Sequence, residues 1–104
     1  MKSRIVEIVN KNYSNPQFDI NRLAKELKIS RVYLNTRCNF DIGNSPHDYL
    51  EKIRIENAMI ALLDGNKIIE VCKQVGYSNK KTFYLAFKKE TGVTPNEFVI
   101  KNKM

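Results

Sequence analysis

The fold is decided by two stretches that share one pattern: residues 68–98 read IIEVCKQVGYSNKKTFYLAFKKETGVTPNEF, and residues 20–49 read INRLAKELKISRVYLNTRCNFDIGNSPHDY. Over their first halves the stretches align at an offset of 48 residues, as in Leu23/Val71, Ala24/Cys72 and Ser30/Ser78. After one inserted residue the offset is 49, as in Leu34/Phe83, Gly43/Gly92 and Pro46/Pro95. Each copy predicts a short apolar helix, a tight turn, a polar cap and a second helix ended by glycine. This is the layout of a helix-turn-helix.

Capping signals and apolar periodicity extend this reading to the whole chain. The predicted N-caps are Asp19, Ser30, Ser45, either Ser78 or Asn79, and Thr94, the last in a capping box with Glu97. Pro46 and Pro95 suit first helical positions, where no backbone N–H is needed. We expect one all-α domain of seven helices over residues 1–104. In it a long helix, about 46–63, joins a first helix-turn-helix subdomain, about 1–44, to a second, about 66–104.

Composition narrows the function classes. The formal net charge of +7 favours a polyanionic partner, which by charge alone fits DNA, RNA or an acidic membrane surface equally well. No apolar run approaches the ~18 residues that span a bilayer, and the N-terminus lacks the apolar segment of a secretory signal. We therefore expect a cytoplasmic protein without membrane contact.

Metal and catalytic chemistry find little support. The chain has two cysteines, Cys38 and Cys72, and one histidine, His47, which are too few for a structural zinc site. No nucleophile–base pair can be assembled from the spacing of the polar residues. We expect no metal, no cofactor and no enzymatic activity.

The exposed face of each second helix carries the predicted DNA contacts. A helix-turn-helix reads base edges with that helix, so the buried positions can be subtracted from helices about 31–42 and 79–91. The remaining base-facing candidates are Arg31, Val32, Asn35, Thr36, Asn39, Lys80, Lys81, Tyr84 and Leu85. The phosphate candidates are Ser30, Arg37, Ser78, Asn79, Lys88 and Lys89. Since the net charge is +1 over residues 30–43 and +3 over residues 79–92, we expect the second copy to supply more phosphate attraction.

Residues 68–98 resemble the signature of the AraC/XylS family of bacterial transcription regulators. The matching motifs are Val75-Gly76-Tyr77, Phe87-Lys88-Lys89 and Gly92-Val93-Thr94-Pro95, and the first copy is similar at Leu23-Ala24, Ser30, Tyr33-Leu34, Gly43-Asn44-Ser45-Pro46 and Tyr49-Leu50. Arg54 and Ala58 in the linking helix are also similar to the family pattern. The resemblance implies two subdomains that face adjacent major grooves of double-stranded promoter DNA in a transcription regulator such as an activator.

This resemblance also implies what surrounds the module. Such modules are usually attached to an N-terminal sensor or receiver domain, so an upstream domain is expected to be missing from this chain. A two-component response regulator and an effector-sensing regulator are both compatible, and RNA polymerase is a further candidate partner.

Departures from the family pattern bear on specificity. The family usually places an arginine where this chain has Thr36 and Leu85, which removes the commonest guanine contact from both helices. Val32 and Leu85 can pack on thymine methyl groups, and Asn35 or Asn39 can pair with adenine. We therefore predict a site rich in A·T pairs at these contacts.

Two other functions stay open from the sequence. An RNA-binding helical module would use exposed aromatic rings for stacking, for which Tyr33 and Tyr84 are available. A protein-interaction module built from helix-turn-helix units is the other alternative, in particular if the first copy has lost its DNA contacts.

Overall fold

The computed structural model describes residues 1–102, which form seven α-helices and contain no strand within that range. The helices are α1 (Lys2–Asn12), α2 (Ile20–Leu27), α3 (Arg31–Asp41), α4 (Pro46–Leu63), α5 (Ile68–Gln74), α6 (Lys80–Thr91) and α7 (Pro95–Lys101). The prediction of an all-α fold with a long central helix is confirmed. Residues 103 and 104, the end of the second predicted subdomain, lie outside the described residues.

The helices begin where side chains satisfy free backbone N–H groups. Oxygen atoms of the caps accept from the backbone N–H three residues on, at 2.9 Å for Asp19, 3.1 Å for Ser30, 3.2 Å for Ser45 and 3.1 Å for Asn79. Of the two candidates for α6, Asn79 is therefore the cap. Thr94 and Glu97 form the full capping box at the start of α7. Each such bond satisfies a donor that would otherwise lack a partner in the helix.

Two clusters of buried side chains divide the molecule. One cluster joins α1, α2, α3 and the first half of α4, and it includes Leu23, Leu34 and Leu50. The other joins the second half of α4 to α5 and α6, and it includes Ile55 and Phe83. A single helix is thus shared between the two cores, so α4 is a rigid connection rather than a linker. The whole measures 44 × 23 × 22 Å.

The turns of the two helix-turn-helix copies each contain a residue with positive φ, but the residue differs. Lys28, after α2, has φ +58°, and Gly76, after α5, has φ +96°. The left-handed region is costly for a residue with a Cβ and free of that cost for glycine. The first turn therefore tolerates a small strain that the second avoids.

Candidate nucleic-acid interface

Helices α3 and α6 each bury one face and present the other to solvent. Leu34 and Cys38 hold α3 in the first core, and Phe83 and Phe87 hold α6 in the second; all four are fully buried. Of the nine predicted base-facing residues, eight are exposed and Tyr84 is half-buried. The structure therefore places all nine on accessible helix surface.

Two large apolar side chains stand on these exposed faces. Val32 on α3 is 78% exposed and Leu85 on α6 is 65% exposed, so neither contributes to a core. Both belong to helices whose other faces are well packed. Exposed apolar groups on such a face are available to contact thymine methyl groups.

The polar side chains of α3 are held by contacts along the helix. The Asn39 amide nitrogen donates to the carbonyl oxygen of Asn35 at 2.8 Å and lies 3.3 Å from its side-chain oxygen. The hydroxyl of Thr36 donates to the carbonyl oxygen of Val32 at 3.2 Å. Asn39 thus orients the amide of Asn35, whose own nitrogen keeps its donors for a ligand.

Arg37 is paired within its own helix. One terminal nitrogen of its guanidinium lies 3.0 and 3.2 Å from the carboxylate oxygens of Asp41, and the group lies 5.8 Å from the ring centre of Phe40. Asp41 therefore neutralises the charge of Arg37, a residue that the sequence predicts to contact a phosphate. Arg31 is then the cation of α3 for which the described residues provide no ion pair.

The basic residues of α6 fall into two groups. Lys80 lies 5.3 Å from the ring centre of Tyr84, whose hydroxyl accepts from the Asn96 amide at 3.3 Å. Lys81 and Lys88 are exposed. Lys89 instead lies 3.1 Å from Glu51 and 3.4 Å from Asp48, both on α4.

This ion pair on α4 is reflected in two pKa values. Glu51 and then Asp48 raise the pKa of Lys89, while bonds to Ser45 and then Lys89 lower the pKa of Asp48. Lys80, Lys81 and Lys88 are consequently the exposed cations of α6 for which the described residues provide no ion pair.

The N-terminal ends of α3 and α6 open onto neighbouring depressions. A cleft of about 300 Å³ is lined at α6 by Ser78, Asn79 and Thr82, and a groove of about 420 Å³ is lined at α3 by Arg31, Val32 and Asn35. Ile20 and His47 border both depressions. The starts of α3 and α6 therefore lie beside two depressions that have two lining residues in common.

Three residues with a bearing on this surface were not selected from the sequence. His47 lies between the two depressions, and Phe40 is 81% exposed on α3 at the position that Lys89 holds in α6. Arg54 contacts both halves of the molecule. Its signal in the sequence is its place between Leu50 and Ala58, at spacings of four residues along the buried side of α4. A charged residue on a buried stripe indicates a buried polar partner.

Within residues 1–102 no group of three His, Cys, Asp or Glu side chains is placed to hold a metal ion, and no helix combines the length and apolar character needed to cross a bilayer. Burial, and then Asp41, raise the pKa of the Cys38 thiol to about 11. Burial also raises the pKa of the Cys72 thiol. Both sulfur atoms are therefore protonated and enclosed near neutral pH.

Known proteins share this architecture. Residues 23–100 match the sequence model of a family described as a helix-turn-helix domain. The crystal structure of the C-terminal domain of the two-component response regulator YesN from Fusobacterium nucleatum is 31% identical, with a TM-score of 0.89 over 94% of this chain and 96% of that one. The C-terminal domain of AraT, a response regulator from Geobacillus stearothermophilus, is 33% identical, with a TM-score of 0.90 over 95% and 83% of the two chains.

A longer relative shows how much of a regulator this chain represents. The raffinose operon transcriptional regulatory protein RafR from Pediococcus pentosaceus is 33% identical over 94 residues, which are 89% of this chain and 34% of that protein. The chain spans about a third or less of the length of this relative and of two others.

Proposed function

This chain belongs to the helix-turn-helix domain family of AraC-type transcription regulators, and from that premise we propose that it binds one DNA duplex with α3 and α6 in adjacent major grooves. It is a DNA-binding domain and not an enzyme. The observation that carries the proposal is that the starts of α3 and α6 border depressions with Ile20 and His47 in common. The 18 residues of α4 span about 27 Å, which is of the order of the ~34 Å helical repeat of DNA.

Phosphate contacts come mainly from the second copy. Lys88 and the start of α6 at Ser78 and Asn79 provide a free cation and backbone N–H groups, and Ser30 provides the equivalent start of α3. Arg37 and Lys89 have smaller roles, because a phosphate would have to replace their carboxylate partners. With about six phosphate contacts in all, log K should fall with log salt at a slope of about −5.

Base contacts come mainly from the first copy. Asn35 presents an amide that Asn39 holds in place, which suits bidentate pairing with adenine. Val32, the methyl group of Thr36 and Leu85 suit thymine methyl groups. Selection of bound duplexes from a random pool tests this assignment: A·T pairs should dominate the positions under both helices, and G·C pairs at both would contradict it.

A titration of the 104-residue chain tests DNA binding itself. Fluorescence anisotropy with a duplex, the corresponding single-stranded DNA and a single-stranded RNA should give the tightest binding to the duplex, with the salt slope stated above. Tightest binding to the single-stranded RNA would favour an RNA-binding module. No binding to any of the three would leave a protein-interaction module as the better proposal.

The proposal extends to the protein that contains this domain. Because two similar structures are C-terminal domains of response regulators, and RafR regulates an operon, we place a receiver or effector-binding domain upstream of it. In that setting the domain acts in the cytoplasm at promoters, with RNA polymerase as a candidate partner. Reading the genomic sequence upstream of the codon for Met1 tests the upstream domain directly.

A further inference from the structure

The junction between the two helix-turn-helix copies supports an inference that rests on the proposed function and goes beyond it. We propose that Arg54 is a positioning residue that fixes α3 and α6 relative to one another, and thereby sets the spacing between half-sites that the domain accepts. Arg54 itself does not need to touch DNA in this role. Its effect reaches the DNA through the placement of the two recognition helices.

One side of Arg54 is bound to the first copy. Its Nε donates to the carbonyl oxygen of Tyr13 at 2.8 Å, and its Nη2 donates to the carbonyl oxygens of Asn15 and Phe18, each at 3.1 Å. These carbonyls lie at the end of α1 and in the connection to α2, outside the helices, and that of Asn15 also accepts from the backbone N–H of Phe18 at 3.0 Å. Three bonds to main-chain atoms fix the guanidinium against the backbone of the first copy.

The other side of Arg54 is covered by the second copy. Its guanidinium carbon lies 5.6 Å from the ring centre of Tyr77, which follows the turn between α5 and α6. The Tyr77 ring in turn packs on Phe83 of α6, with ring centres 5.5 Å apart. A continuous series of contacts therefore runs from the end of α1 through Arg54 and Tyr77 to the recognition helix α6.

The turn at Gly76 brings the two copies into direct backbone contact. A Cβ added to Gly76 would overlap the carbonyl oxygen of Tyr13 and lie 3.0 Å from the Nε of Arg54. Tyr13 also packs against both buried clusters. The second turn thus lies flush against the first copy, with no room for the copies to shift toward each other.

A second contact between the copies involves residues three and six positions before Arg54 on α4. Lys89 on α6 pairs with Asp48 and Glu51, in the half of α4 that belongs to the first core. Together with the shared helix, the two contacts fix the orientation of α6 relative to the first copy. A rigid pair of binding units gains affinity only when both sites fit at once. One base pair added between half-sites shifts them by about 3.4 Å and about 34°, so a rigid domain should reject it.

The test compares variants on duplexes of different spacing. Arg54→Met keeps an unbranched apolar stem and removes every donor, Arg54→Lys keeps a charge and part of the bonding, and Lys52→Met removes an exposed charge from the same helix. Dissociation constants are measured for the duplex selected by the unaltered chain and for versions with one base pair added or removed between the half-sites.

The unaltered chain and Lys52→Met should favour the selected spacing by at least about tenfold. Arg54→Met should bind the selected duplex about tenfold more weakly and favour its spacing by about threefold or less, with Arg54→Lys between the two. A general loss of stability would weaken binding to all three duplexes equally. Folded Arg54→Met that keeps the full preference for spacing overturns the proposal.

Two further measurements distinguish a failure of this proposal from a failure of DNA binding or of folding. Lys89→Met changes an exposed side chain and should also reduce the spacing preference. It therefore replaces Arg54→Met in the spacing test if that variant fails to fold. Residual dipolar couplings without DNA report the orientation of α3 relative to α6, which should differ between the unaltered chain and the Arg54 or Lys89 variant. An unchanged relative orientation in a folded variant overturns the proposal, even if the chain were found not to bind duplex DNA.

Discussion

The two helix-turn-helix copies share one backbone plan but stabilise it differently. In the second copy Tyr77, Phe83, Phe87 and Phe98 form a series of ring contacts with centres 5.5 to 5.8 Å apart, whereas the first copy places Cys38 where the second has Phe87. Within the part of the chain that the structure describes, the second recognition helix carries unpaired lysines, and the first carries amides, a paired Arg37 and a single unpaired cation, Arg31. An aromatic core and a strongly basic surface thus belong to one copy, and a mainly aliphatic core with a less basic polar surface to the other. The two copies share a fold while differing in the residues that fill the core and in surface charge.

The largest difference should appear in the cores. Phe87→Ala should lower the free energy of unfolding by about 3–5 kcal/mol, because it removes a fully buried ring that packs against two others, Phe83 and Phe98. Cys38→Ala at the equivalent position should cost about 1 kcal/mol, since little volume is lost. Urea unfolding followed by circular dichroism measures both. Equal losses would mean that the copies depend on their cores to the same degree.

The turns should differ next. Gly76→Ala should cost about 3 kcal/mol, because the left-handed backbone and the overlap with the Tyr13 carbonyl add together. Lys28→Ala should change stability by less than about 0.5 kcal/mol, because the backbone strain is already present and the side chain is exposed. The same unfolding experiment applies. A mild effect of Gly76→Ala would show that the two copies are not in tight contact.

The two recognition helices should contribute to DNA binding in different ways. Lys88→Ala should reduce the salt slope by about 1 and weaken binding to all duplexes alike, whereas Asn39→Ala should leave the slope unchanged and relax discrimination under α3 by about 1 kcal/mol. Anisotropy titrations over a range of salt, on the selected duplex and on single-base variants of it, measure both. An unaltered slope in Lys88→Ala would remove that residue from the phosphate contacts.

The smallest effect concerns the carboxylates of Asp48 and Glu97, which hold equivalent positions near the starts of α4 and α7. Bonds to Ser45 and to Thr94 lower their pKa values from the usual 3.8 and 4.5. A lowered pKa in the folded state means that the stabilisation is complete above these usual values and is lost as the pH falls through the folded ones. The urea midpoint should therefore decrease modestly between pH 6 and pH 3, and less so in Asp48→Asn and Glu97→Gln. An unchanged midpoint in the parent chain would contradict the lowered values.

Local signals explain why so much of the fold could be predicted. Helix caps accept from N–H groups three residues away, so capping depends only on residues that are close together in the sequence, as at Asp19, Ser30, Ser45 and Thr94. The burial of Leu34, Cys38, Phe83 and Phe87 follows from helical periodicity in the same way. The exposed faces of α3 and α6 then follow by subtraction, which is why the base-facing candidates lie on accessible surface.

The amino-acid sequence alone established seven helices, their caps, two equivalent recognition helices and a basic surface, because these features depend on residues within one or two helical turns of each other. The pairing of Arg37 with Asp41 also spans only four residues, yet its competition with a phosphate could be judged only from the side-chain geometry. The hydrogen-bonding partners of Arg54 and Lys89 lie 36 to 41 residues away, and no periodicity encodes them. The relative placement of the two copies rests on those distant contacts, so it emerged only when the helices were packed together.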